Sequence, residues 1–220
     1  MYNNDRSLAP RYISSDLNGK NLSEIIEFFN TRIKAFYFTP GDVLKKDMLK
    51  KRNNDNGFML IAISCIIIDM LSQYNRRLKT SSGGEFIQFL EEELPKFANT
   101  FKKSGKIKFF YQKTIADEED PAAGTFASYF YSGFRCGIMH NAIIMPYGGF
   151  DRTKRLIIQE SWTDSSGTRL VLGIDPIILF RRVRKIFDKY IKNLSALKNA
   201  KYDTLRDNFR WKFLRDFGFG

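Results

Sequence analysis

Phe58-Met59-Leu60-Ile61-Ala62-Ile63-Ser64-Cys65-Ile66-Ile67-Ile68 is the stretch that decides the fold class. Continued as a helix to Lys79, it is apolar nearly all round for its first three turns and has to be covered on every side. That is the position of a central bundle helix. A membrane span is the competing reading, but the run falls short of the roughly 20 apolar residues a bilayer core needs. It then meets Asp69 and the Arg76-Arg77 pair. A carboxylate inside an apolar helix is costly unless it is paired. The sequence therefore predicts a partner for Asp69: Arg135 across the core, or a lysine, hydroxyl or solvent at the helix surface.

Upstream, Asn21 with Glu24 forms a capping-box pattern, and the apolar spacing predicts a helix from Leu22 to Tyr37 that stops before Thr39-Pro40-Gly41. The basic, asparagine-rich stretch 42–56 reads as a loop or linker. Downstream, Ser81-Ser82-Gly83-Gly84 breaks the chain, and Phe86 to Phe101 resumes the helical period with Pro95 as a kink or restart. Lys106 to Thr114 reads as a short strand or an irregular connection. The acidic run Asp117–Asp120 before Pro121 places negative charge at the entry to a fourth helix. In that helix Gly133 and Gly137 predict close approach by another backbone, and Met145 to Gly149 ends the element.

β-Formers on either side of Thr163–Gly167 predict a hairpin over about 155–174. Asp175-Pro176 is an N-cap followed by a favoured first helical residue. It opens a last long helix whose buried stripe is Leu179, Val183, Ile186, Phe187, Tyr190 and Leu194. The expected fold is all-α (mainly): a bundle of about five helices with a small β-hairpin before the last long one. Residues 1–57 form an N-terminal helix and basic linker packing on the bundle, 58–197 the helical domain, and 198–220 a basic aromatic tail whose rings pack onto the bundle or stack on nucleobases, packing being the expectation for large aromatics.

Composition narrows the function. Lys and Arg number 36 against 24 Asp and Glu, a formal charge of +12 that favours polyanionic partners. From Asp175 onward twelve basic residues face five acidic ones, and Arg181, Arg182, Arg184 and Lys185 on the last long helix are the candidate RNA-binding residues. Cys65 and Cys136 show neither metal-ligand spacing nor a disulfide framework. They read as reduced thiols of a cytoplasmic chain, and no signal peptide is evident. Glycine-rich phosphate loops, Ser-His elbows and helix-turn-helix or zinc-finger signatures are absent from the sequence. One histidine and no clustered carboxylates leave few ligands for a metal, so neither metal nor cofactor is expected.

That histidine, His140, ends the segment Tyr131-Ser132-Gly133-Phe134-Arg135-Cys136-Gly137-Ile138-Met139-His140 and follows Arg135 by five positions. Imidazole is the one side chain whose unperturbed pKa lies near neutrality. Guanidinium is a permanent cation whose planar fork fits phosphate oxygens. The bland reading is a helix-end histidine and an arginine paired with a buried acid.

An arginine, a short mostly apolar spacer and then His-Asn on a late bundle helix resembles the HEPN superfamily (higher eukaryotes and prokaryotes nucleotide-binding), in its bacterial branch with an Arg-Cys-Gly spacer. The likeness spans roughly 58–194, with the motif as its specific part. Two departures stand out: Cys136 occupies a position that is often polar in active members, and the tyrosine modified in one toxin-antitoxin branch is replaced by Asn141-Ala142-Ile143. The resemblance implies a metal-independent endoribonuclease acting as a homodimer, with Arg135 and His140 catalytic and Asn141 and Asp69 supporting. Asn141 would position the phosphate or cap the helix end. The resemblance also implies RNA as substrate, a role as toxin or antiphage defence effector, and an antitoxin or defence-system protein as partner. The alternative it leaves is a catalytically silent module that binds nucleic acid or protein.

Overall fold

Helix α3, Gly57–Arg76, runs through the centre of the molecule and packs against helices from both ends of the chain. The structure is a computed structural model describing residues 22–51, 56–100, 124–144, 148–150, 154–164 and 167–217. Leu60, Ile61, Ile67 and Ile68 are each 0% exposed. By length and composition α3 reaches a membrane-spanning 20 residues, and 67% of its apolar window is buried among its neighbours. Burial therefore marks it as a core helix, where shortness does not. It ends at Arg77, whose φ of 58° is left-handed, rather than at Lys79.

The expected stop before Thr39-Pro40-Gly41 is corrected. Helix α1 (Leu22–Ile33) passes through a π turn (Lys34–Phe38) directly into α2 (Thr39–Lys51), so most of the expected linker is helix. Proline has no N–H and its ring clashes with the carbonyl four residues back in a regular helix. Here the Thr39 N–H reaches back five residues to the Lys34 carbonyl, and the widened turn precedes Pro40. Contacts distant in sequence then hold α2 in place. A Cβ on Gly41 would lie 2.3 Å from the Phe180 ring. Arg184 Nη2 donates to the Phe38 carbonyl at 3.1 Å and to Asp42 at 2.6 Å. Asn21, and with it the expected capping box, lies outside the described residues.

Helix α4 (Gly83–Glu93) opens on a capping box between Ser82 and Glu85. Pro95 restarts the chain as a 3₁₀ turn, Pro95–Ala98. Phe101, the stretch 106–114 and the acidic run 117–120 lie outside the described residues. The next unit is α5 (Phe126–Phe130), a π turn (Tyr131–Cys136) and α6 (Gly137–Asn141). Phe130 joins it to the earlier elements, with ring centroids 5.4 Å from Phe97 and 6.3 Å from Phe86.

The hairpin forms as expected, though tighter. Strands β2 (Ile157–Asp164) and β3 (Gly167–Ile174) pair antiparallel as far as Asp164 opposite Gly167. A third strand was not foreseen: β1 (Gly148–Phe150) pairs parallel with β3, where the sequence placed the end of the helical element. Two glycines give a strand little local propensity, so β1 exists through its partner.

Helix α7 (Pro176–Ser195) starts as the sequence predicts, with the Asp175 carboxylate accepting the Ile177 and Ile178 N–H groups at 2.9 and 3.0 Å. All six residues of its expected stripe are buried. The basic C-terminal segment is a sixth helical unit and no appendage: helix α8 (Asp203–Phe217) packs on α3. Its Phe209 and Phe213 are 0% exposed, and each such ring contributes on the order of 1.5–3 kcal/mol by leaving water. Arg206 also donates to the carbonyls of Ala196 and Asn199. The mainly α bundle with a small sheet holds.

Candidate functional site

The site segment is a helix in three pieces. Thr125 caps α5, its Oγ1 accepting the Ser128 N–H at 3.3 Å, and Arg135 sits in the π turn that follows. Single π turns inside helices recur at functional sites. Gly133 is buried in this turn, and the turn and α6 pack on α3. The close neighbour that the glycines predict is thus supplied by the chain's own central helix.

Of the partners the sequence leaves open for Asp69, the structure shows Arg135. Arg135 Nη2 donates to Asp69 Oδ2 at 2.9 Å, with side chains 18% and 22% exposed. The Arg135 guanidinium also lies 5.5 Å from the centre of the Tyr131 ring, and the Cys136 thiol acts on the Tyr131 phenol. Gly83 makes room for that ring, since a Cβ there would fall 2.8 Å from it. Asp69 Oδ1 is buried and has no partner among the described residues.

Electrostatics follow from this geometry. Burial opposes the charge on Arg135, but the hydrogen bond and charge of Asp69 outweigh it and hold the guanidinium above its usual pKa. Burial, and then Cys136, push the Tyr131 phenol up. The fully buried Cys65 thiol is pushed up by desolvation, which makes it an unreactive core group. Both cysteines are free.

His140 stands apart from this cluster. It is exposed in the last turn of α6, beside Met139 and Ile143 at 48% and 50% exposure. Arg135, in the π turn, is held against α3, whereas His140, in the last turn of α6, faces outward. The left-handed helix cap falls on Ala142, with φ 53°, and not on Asn141. The Asn141 side chain lies outside the described residues.

The four basic residues of α7 divide. Arg181, Arg182 and Lys185 are exposed and have no carboxylate partner among the described residues. Arg184 is bound to Asp42 and Phe38 and lies 4.7 and 5.3 Å from the Phe38 and Phe180 ring centres, so it serves as a tie between helices. Among the described residues no group of three or more His, Cys, Asp or Glu is arranged to hold a metal ion.

No family model, curated protein or solved structure matches the chain. The chemistry of the site rests on its own residues. Guanidinium has five N–H donors, and Asp69 takes one, so Arg135 is fixed in place and still able to receive an anion. His140 offers an imidazole at the surface. Tyr131 is the member that the sequence reading passed over; its signal was the i, i+4 spacing to Arg135, which puts the two on one helix face.

Proposed function

We propose that the chain is a metal-independent endoribonuclease of HEPN type. What carries this reading is an arginine held by Asp69 at 2.9 Å with donors to spare, on the same helical unit as the exposed and only histidine. In the reaction a ribose 2′-oxygen attacks the adjacent phosphorus. The new P–O bond forms as the bond to the 5′-oxygen breaks, leaving a cyclic phosphate and a 5′-hydroxyl. His140 transfers a proton, taking it from the 2′-hydroxyl or giving it to the leaving oxygen. Arg135 stabilises the charge that builds on the phosphate oxygens. Two copies with their α6 segments apposed would bring the exposed His140 of each together, in keeping with a homodimer. The exposed cations Arg181, Arg182 and Lys185 supply a surface that attracts RNA. A role as toxin or antiphage effector, with a partner protein, follows from the resemblance alone.

The Asp69–Arg135 bridge itself favours a second reading, a silent module in which Arg135 only ties the π turn to α3. Incubating RNA with the protein in EDTA separates the two. The nuclease cleaves, and Arg135→Ala and His140→Ala variants matched for folding each lose about 10²–10⁴-fold. Salt-sensitive binding without cleavage by the parent chain establishes the module instead.

A further inference from the structure

Away from Arg135, the C-terminal end of α3 meets α8 at an unusual cluster. The Arg77 guanidinium lies 5.2 Å from the centre of the Trp211 ring, and that of Arg215 lies 5.8 Å from it. One half-buried indole thus holds two permanent cations. Each is attracted by the ring, but they repel one another, and the arrangement calls for an anion.

The chain does not supply one among the described residues. The carboxylates of α8 are engaged elsewhere, Asp207 with Arg210 at 3.5 Å, Asp216 with Lys212 at 2.9 Å and Asp203 with Arg206, and Glu92 of α4 is taken by Arg76 at 2.7 Å. Arg77 and Arg215 are both exposed, as is Lys79 close by in the chain. Elsewhere arginines are satisfied, as Arg206 is by two carbonyls and a carboxylate.

We infer that Arg77, Trp211 and Arg215 form a docking site for the phosphate backbone of single-stranded RNA. Guanidinium forks receive phosphate oxygens in pairs, and the indole anchors both forks, so little side-chain freedom is lost on binding. Arg77 lies eight residues beyond Asp69 on α3, about 12 Å along the axis at 1.5 Å per residue. Naming RNA as the ligand rests on the proposed function; the need for an anion comes from the cluster.

The test uses the full chain carrying Trp162→Phe, which leaves Trp211 as the one tryptophan of the two present, and His140→Ala to preserve the RNA. Titration with a single-stranded RNA oligonucleotide changes Trp211 emission saturably. Arg77→Gln and Arg215→Gln each weaken binding about 5-fold or more and reduce the salt slope by about one. Labelled RNA binding with unchanged affinity to both variants, or unmoved Trp211 emission, overturns the site. The two proposals fail separately: cleavage by the parent chain without a Trp211 response removes this site and keeps the nuclease, whereas a Trp211 response without cleavage does the reverse.

Discussion

Two helical units of this protein are interrupted by a π turn, and each is tied to a neighbouring helix by an arginine–aspartate bridge. In the first, Asp42 of α2 meets Arg184 of α7. In the second, Arg135 of the π turn meets Asp69 of α3. The difference lies in how fully each arginine is used. Arg184 Nη2 serves a carbonyl and a carboxylate, and the guanidinium lies against two phenylalanine rings. Arg135 has one carboxylate oxygen and one ring. Neither guanidinium is saturated, since Arg184 Nε is buried without a partner among the described residues, but Arg184 is the more heavily engaged of the two, and Arg135 lies on the unit that bears the only histidine. Two hydrogen bonds and two rings make Arg184 a tie between helices, whereas Arg135 with one of each keeps more donors for the ligand of the proposed function.

The comparison breaks most sharply at Asp69. Asp69→Asn keeps a hydrogen-bond acceptor but removes the charge that fixes Arg135. Misplacing a positioned group costs up to about 10²-fold in rate, so RNA cleavage should fall by that order in kcat, with KM and thermal midpoint little moved. Equal losses in kcat and in folded fraction would make Asp69 a structural residue only.

A smaller effect lies at Asp42. Burial opposes its ionisation, but hydrogen bonds and charge from Lys45 and Arg184 prevail and lower its pKa below the usual 3.8. The unfolded chain therefore takes up the proton first as pH falls. The stabilisation is full above about 3.8 and is lost as pH drops through the lower folded value. Urea midpoints measured from neutral pH down to acid should show this loss in the parent chain. Asp42→Asn should be less stable at neutral pH and should lose less on acidification.

What the sequence made legible was local or compulsory. The all-round apolar run of α3 had to be central, and Asp175-Pro176 states its cap outright. Asp69 announced a partner because an acid in an apolar helix needs one. The misreadings share a cause. Thr39-Pro40-Gly41 carries every local sign of a stop, yet α2 continues because Phe180 and Arg184, far along the chain, close over Gly41 and Asp42. Strand β1 owes its existence to β3. The aromatic residues of α8 pack as expected of large rings, but their partners, Phe29 and Tyr74, lie far upstream and could not be named from the local sequence. At the site, Arg135, His140 and Asp69 stood out by chemistry, whereas Tyr131 was one aromatic among many and only its spacing to Arg135 set it apart.

The most direct test of the difference between the two bridges is Arg135→Lys beside Arg184→Lys, each assayed for RNA cleavage in EDTA and for thermal midpoint. Lysine keeps the charge but loses the planar fork. Arg135→Lys is expected to lose cleavage with its midpoint nearly unchanged. Arg184→Lys is expected to lose stability of about 1–3 kcal/mol while each folded molecule still cleaves at the parent rate. A parent chain that leaves RNA intact, or an Arg135→Lys variant that loses only stability, would contradict the account.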